Sequence, residues 1–201
     1  QLEPIDRGLY YKLKGNGTPA IITCVYGNRD YDDALLELRN EVEAKGFKIV
    51  SASAFIARHS IFTQIAKDRP NAQDIAEVIR FATRSKEMIE SLDYFDCLQQ
   101  IKVKGNVPYK TFNQLPICPT ADDSCVECGV CASKCPVAAI SSDNYRETNM
   151  DKCLACGRCI VECVVGARDF RGDFFDARAA KFIEAFSVPK ANELYYAEVN
   201  K

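Results

Sequence analysis

Eleven cysteines stand in this 201-residue chain, and eight of them crowd between Cys125 and Cys163. They fall in two segments, CVECGVCASKCPVAAI (residues 125–140) and CLACGRCIVECVVGAR (residues 153–168), each spaced C-x2-C-x2-C-x3-C. Every cysteine of the first segment recurs 28 positions later in the second, as do Gly129 in Gly157, Val137 in Val165 and Ala139 in Ala167. The region is an internal duplication. Three thiolates at two-residue gaps can curl the backbone around one face of an iron–sulfur cubane, and Gly129 or Gly157 lets the loop approach closely. Structural zinc is the competing reading. It takes four tetrahedral ligands, usually from two separated C-x2-C pairs, and has no use for the third cysteine that follows in register in both halves. A secreted disulfide scaffold would be shorter and would spread its cysteines. Cys24, Cys97 and Cys118 stand outside the cluster. Cys24 and Cys97 read as small core hydrophobes, and Cys118 as a loop thiol.

The duplicated run, with Pro136 after the fourth cysteine of the first half, resembles the bacterial-type ferredoxins that hold two 4Fe–4S clusters. That resemblance implies that each fourth cysteine crosses to the other cluster. Cluster one then takes Cys125, Cys128, Cys131 and Cys163, and cluster two takes Cys153, Cys156, Cys159 and Cys135. The crossing has a physical logic, because the fourth cysteine comes one residue too late to close its own cubane. Val126, Val130, Ile140, Leu154 and Ile160 are expected to pack around and between the clusters. The second half reads Cys163–Val164 where such ferredoxins carry Cys–Pro. Proline lacks an N–H and Val164 has one, so the Val164 amide either donates to a cluster sulfur and raises the potential of cluster one relative to cluster two, or keeps the same turn and bonds elsewhere.

The elements before the cysteines must be read from pattern. AIITCVY (residues 20–26) is a short, β-branched apolar run of the buried-strand type. A helix follows, with Leu35, Leu38 and Val42 on one face and Gly46 at its C′ position. Residues 47–56, FKIVSASAFI, form a second strand. Asn71 caps a long helix with Asp74 at its third position, and Ile75, Val78, Ile79, Ala82, Ile89 and Leu92 are expected to line its apolar face. Strand–helix–strand–helix predicts a βαβ unit. Two strands leave helix faces uncovered, so the sheet reads as incomplete, even with a helix over residues 2–13 and a turn at 15–17.

This order of parts includes YGNRDYDDALLEL after a strand, AFIARHS, a long helix and then the two cysteine units. It resembles prokaryotic fusions of a flavodoxin-like domain to a two-cluster ferredoxin. The fold class implied is α/β plus α+β. A partial flavodoxin-like domain spans residues 1–104, a linker 105–118, a two-cluster ferredoxin domain 119–172, and a C-terminal helix and tail 173–201. The resemblance makes Tyr26, Gly27, Asn28, Arg29 and Tyr31 a loop against the ring of FMN, although the phosphate loop and first strands of a flavodoxin are missing from the sequence. The same residues also read as a helix cap and packing tyrosines. His59, the sole histidine, reads as a surface or capping residue.

Function follows as an expectation. The chain is an electron carrier through two 4Fe–4S clusters, with soluble redox proteins as donor and acceptor and an oligomer that completes the sheet. The alternative is an FMN-dependent iron–sulfur oxidoreductase, and a third reading makes the clusters purely structural. No nucleophile–base pair, GxGxxG or P-loop argues for another enzyme. A formal net charge of −2 gives no footprint for nucleic acid or an anionic membrane. No apolar stretch approaches the ~20 residues of a spanning helix, and the first residues do not read as a signal peptide. The expected location is cytoplasmic.

Overall fold

The computed structural model describes residues 12–111 and 116–199. In chain order these form β1 (Pro19–Tyr26), α1 (Ala34–Ala44), β2 (Lys48–Ile56), α2 (Ala72–Glu90), β3 (Pro119–Ala121), α3 (Val130–Ser133), α4 (Arg158–Val161), β4 (Arg168–Phe170), α5 (Asp173–Phe186) and β5 (Glu193–Tyr196). Two compact units result. Among the described residues the first gathers 12–58, 66–111 and 188–199, and the second gathers 59–65 and 116–187. These boundaries differ from the sequence reading, because the last residues of the tail join the first unit and a short excursion after β2 joins the second. The helix expected over residues 2–13 lies outside the described residues except for its last two positions.

In the first unit β1 and β2 run parallel, from Pro19 opposite Lys48 to Tyr26 opposite Ile56, with a bulge between Ala20 and Ile21. α1 connects them as expected. Its Leu35 and Val42 are buried and Leu38 packs beside them. Gly46 takes a φ of +84° where the helix stops, a left-handed conformation that glycine adopts without a Cβ penalty. A third strand was not legible in the sequence. β5 pairs antiparallel with β2, Ser51 opposite Tyr196, giving the order β1-β2-β5. β1 therefore lies at the sheet edge, and its Ile21 and Val25 remain 44% and 65% exposed.

α2 begins with the capping box expected of Asn71 and Asp74. Asn71 Oδ1 accepts the Gln73 and Asp74 N–H groups, and Asp74 Oδ2 accepts the Asn71 N–H at 2.7 Å. Its buried face differs from the expected one. Ile75 and Ile79 are exposed, while Asp74, Phe81 and Ser85 point inward. The sheet beneath is narrow and partly polar. Ser85 Oγ meets Ser51 Oγ at 2.6 Å, and the Phe81 ring meets those of Phe55 and Tyr196, each at 5.7 Å. A buried hydroxyl pair satisfies itself but is invisible to a search for apolar periodicity.

Residues 101–110, expected to fall largely in a linker, are fixed to the first unit. Ile101 is in its core, and Asp33 accepts the N–H groups of Asn106 and Lys110 at 2.8 and 2.7 Å.

In the second unit β3 and β4 form a two-stranded antiparallel ribbon, Pro119 opposite Phe170. α5 packs on this unit through aromatic rings, with Phe62 stacked on Phe182 at 4.5 Å and on Phe175 at 5.2 Å. His59 caps its own loop, its Nδ1 accepting the N–H groups of Ile61 and Phe62 at 3.1 Å.

Candidate iron–sulfur site

The duplication is repeated in the backbone. Gly129 and Gly157 precede α3 and α4 with φ values of +74° and +72°. Glu127 and Ala155 are left-handed at +54° and +52°, and Ala138 and Gly166 at +48° and +68°. Each pair is 28 residues apart, so the two halves trace the same path. A Cβ at Gly157 would sit 2.8 Å from the Ser60 carbonyl oxygen, which leaves no room for a side chain there. Each α3 or α4 turn carries the third cysteine, and the chain then turns away at the fourth. Cys135 N–H bonds to Ala132 O, and Cys163 N–H to Ile160 O, both at 3.2 Å.

Two cavities open between these loops. The first, about 310 Å³ including its mouth, is lined by Cys125, Cys128, Cys131 and Cys163, with Val126, Val130, Tyr145 and Arg168. The second, about 330 Å³, is lined by Cys153, Cys156, Cys159 and Cys135, with Ile140, Leu154 and Thr148. Each cavity therefore brings together three cysteines of one half and the fourth of the other. Ile160 is half-buried within α4. Among the described residues no three His, Cys, Asp or Glu side chains converge tightly enough for a single metal ion. Four thiols line each cavity, a donor set that fits an iron–sulfur group.

The sulfurs are provided with amide donors. Ala139 N–H donates to Cys135 Sγ at 3.2 Å, and Ala155 N–H to Cys153 Sγ at 3.3 Å. At Cys163 burial opposes ionisation, but the N–H groups of Arg168, Val165, Ala167 and Gly166 outweigh it and hold the thiol below the ordinary cysteine value. The donors at Cys163 thus all follow Val164 in the chain. Burial raises Cys153 and Cys159, against an Ala155 N–H at the first and Arg168 at the second.

Arg168 was missed in the sequence reading, where it only ended the repeat. It is 2% exposed. Its Nη2 donates to Pro119 O at 2.8 Å and to Thr148 Oγ1, and its Nη1 donates to Tyr145 O and lies 3.8 Å from Cys131 Sγ. Its Nε is buried without an acceptor among the described residues. A buried N–H at the rim of a cysteine-lined cavity fits an acceptor such as an inorganic sulfide. The available signal was its alignment with Ile140, 28 residues earlier.

None of the three other cysteines lines either cavity, although Cys118 adjoins the second one through Thr148. Burial, reinforced by Glu193, pushes Cys24 up to about 12; Cys97 Sγ points at Tyr94 O and Cys118 Sγ at Thr148 O. The residues of the expected flavin-ring loop bond to other parts of the first unit. Asn28, 1% exposed, donates to Val188 O at 2.9 Å and accepts from Lys190 N at 3.0 Å. Tyr31, 6% exposed, donates to Glu193 at 2.7 Å and meets the Tyr26 ring edge-on at 5.2 Å. Arg29 pairs with Asp32 and the Arg29 carbonyl accepts from Lys190 Nζ. Gly27 accepts the Arg29 N–H at 2.8 Å.

Comparison with known families agrees with the first of the two cysteine units. Residues 122–141 match the 4Fe-4S binding domain, so the chain carries an iron–sulfur, ferredoxin-like region suited to electron transfer. Among curated proteins, none matches the chain. Among the described residues no helix is long and apolar enough to cross a membrane.

Proposed function

We propose that the second unit holds two 4Fe–4S clusters and passes single electrons between soluble redox proteins. The observation that carries this reading is the lining of the two cavities, each with three cysteines from one half of the repeat and the fourth from the other. Cluster one falls to Cys125, Cys128, Cys131 and Cys163, and cluster two to Cys153, Cys156, Cys159 and Cys135. When bound, such clusters supply one-electron redox chemistry. The chain contributes thiolates, amide donors to sulfur and a partly apolar wall, the features that set cluster potentials. Cys128 and Cys156 are exposed, which supports exchange of electrons with a docked partner over a short distance. The flavin alternative gains nothing from Asn28 and Tyr31, whose polar groups are already partnered within the chain.

Anaerobic purification with iron, sulfide, zinc and flavin analysis tests the reading. About eight irons and eight sulfides per chain are expected from two cubanes, both reducible by dithionite. Cys163→Ser should remove cluster one and spare cluster two, and Cys135→Ser the reverse. Bound zinc without sulfide, a single cubane, or clusters that resist reduction would sink the proposal.

A further inference from the structure

The repeat is symmetric in its cysteines and glycines but not in charge. Position 140 is Ile and lines the second cavity, while position 168, 28 residues later, is Arg and lines the first. The Arg168 guanidinium is buried among carbonyls, one hydroxyl and a thiol, and no carboxylate pairs with it among the described residues. Burying a cation without a counter-anion is strongly unfavourable. The group best placed to balance it is the one held by the adjacent cysteines. Four thiolates outweigh the positive charge of an iron–sulfur core, so the assembly is net negative, and one-electron reduction makes it more so.

We infer that Arg168 raises the reduction potential of cluster one above that of cluster two, using a buried fixed charge that the first half of the repeat lacks. The inference rests on the proposed two-cluster function. The electron comes from a low-potential one-electron donor, no bond or proton moves, and the added negative charge appears beside the guanidinium. Arg168 also reaches Cys159 Sγ, a ligand assigned to cluster two. Cluster one still gains more, because Arg168 lines its cavity and its 3.8 Å sulfur neighbour is Cys131. A purely architectural Arg168 would join β3 to residues 145 and 148 without affecting potentials, and this difference makes the inference testable.

EPR-monitored redox titration of the whole protein, with iron content measured on each sample, is the test. Wild-type protein should show two separable one-electron waves, the higher being the one lost in Cys163→Ser. Arg168→Met should lower that wave by about tenfold in the reduction equilibrium, the scale of a nearby charge at moderate effective dielectric, or about 59 mV for one electron. Arg168→Lys, which keeps a charge without the planar fork, should lie between the two. Coincident waves in the wild type, loss of the lower wave in Cys163→Ser, or an unchanged potential in an iron-replete Met variant would overturn the inference alone. If Met does not retain iron, an iron-replete Lys variant whose higher wave stays above the lower one supports the charge, and a Lys variant whose higher wave falls to meet the lower one overturns it. Wild-type protein without two reducible clusters would overturn the parent function and this inference together.

Discussion

Asn28 Oδ1 accepts the main-chain N–H of Lys190 at 3.0 Å, across most of the length of the chain. The same side chain donates to Val188 O, and its backbone is left-handed with a φ of +63°. Asparagine tolerates that conformation better than most residues. One buried side chain therefore fixes the loop after β1 to the segment that leads into β5. Asn28→Ala should destabilise the first unit by about 2 kcal/mol, through two lost hydrogen bonds and a Cβ held at positive φ. Asn28→Gly removes the bonds without the backbone strain and should lose less. Urea unfolding followed by circular dichroism checks the order; equal stability of the Ala variant and wild type would contradict this account.

The start of α2 should be acid-sensitive. Burial raises the Asp74 carboxyl, but Arg69, the Asn71 N–H and the Asn192 amide together pull it below the usual carboxylate range. The Asp74 and Arg69 side chains are only 5% and 15% exposed. A group whose folded value is depressed adds stability above its unfolded value, about 3.9 for aspartate, and that stability is lost as pH falls through the folded value. Asp74→Asn should therefore cost about 3 kcal/mol near neutrality, the scale of a broken buried pair. The gap between variant and wild type should close below about pH 4, since protonated aspartate resembles asparagine. Denaturant melts at a series of pH values measure this, and a pH-independent gap would remove Asp74 ionisation from the explanation.

Local pattern explains what could be read in the sequence. The cysteine spacing, the buried face of α1 and the Asn71–Asp74 box each arise from residues close together in the chain, where steric and hydrogen-bonding rules act directly. β5 escaped because its pairing with β2 is set by distant residues, and four half-buried positions carry little signal of their own. The α2 face was misjudged because Ser85 and Asp74 are buried through specific partners, Ser51 and Arg69, rather than through hydrophobicity. Arg168 was overlooked for a similar reason. A charged residue at the end of a motif reads as surface until the fold folds it inward against Cys131.

Val164 offers the last prediction. Its side chain is 77% exposed, and the amides aimed at Cys163 Sγ belong to the four residues after it. The equivalent position in the first half is Pro136, so the turn accommodates a proline ring where the two halves share one backbone path. Val164→Pro should therefore leave the cluster-one reduction equilibrium within about twofold of wild type, because the charge-stabilising donors remain. It should also gain about 0.5 kcal/mol of stability by restricting the unfolded chain. Redox titration and thermal melting of the variant measure both effects. A tenfold shift in the equilibrium would return the Val164 amide to the cluster environment and weaken the case that Arg168, rather than a missing proline, distinguishes the two sites.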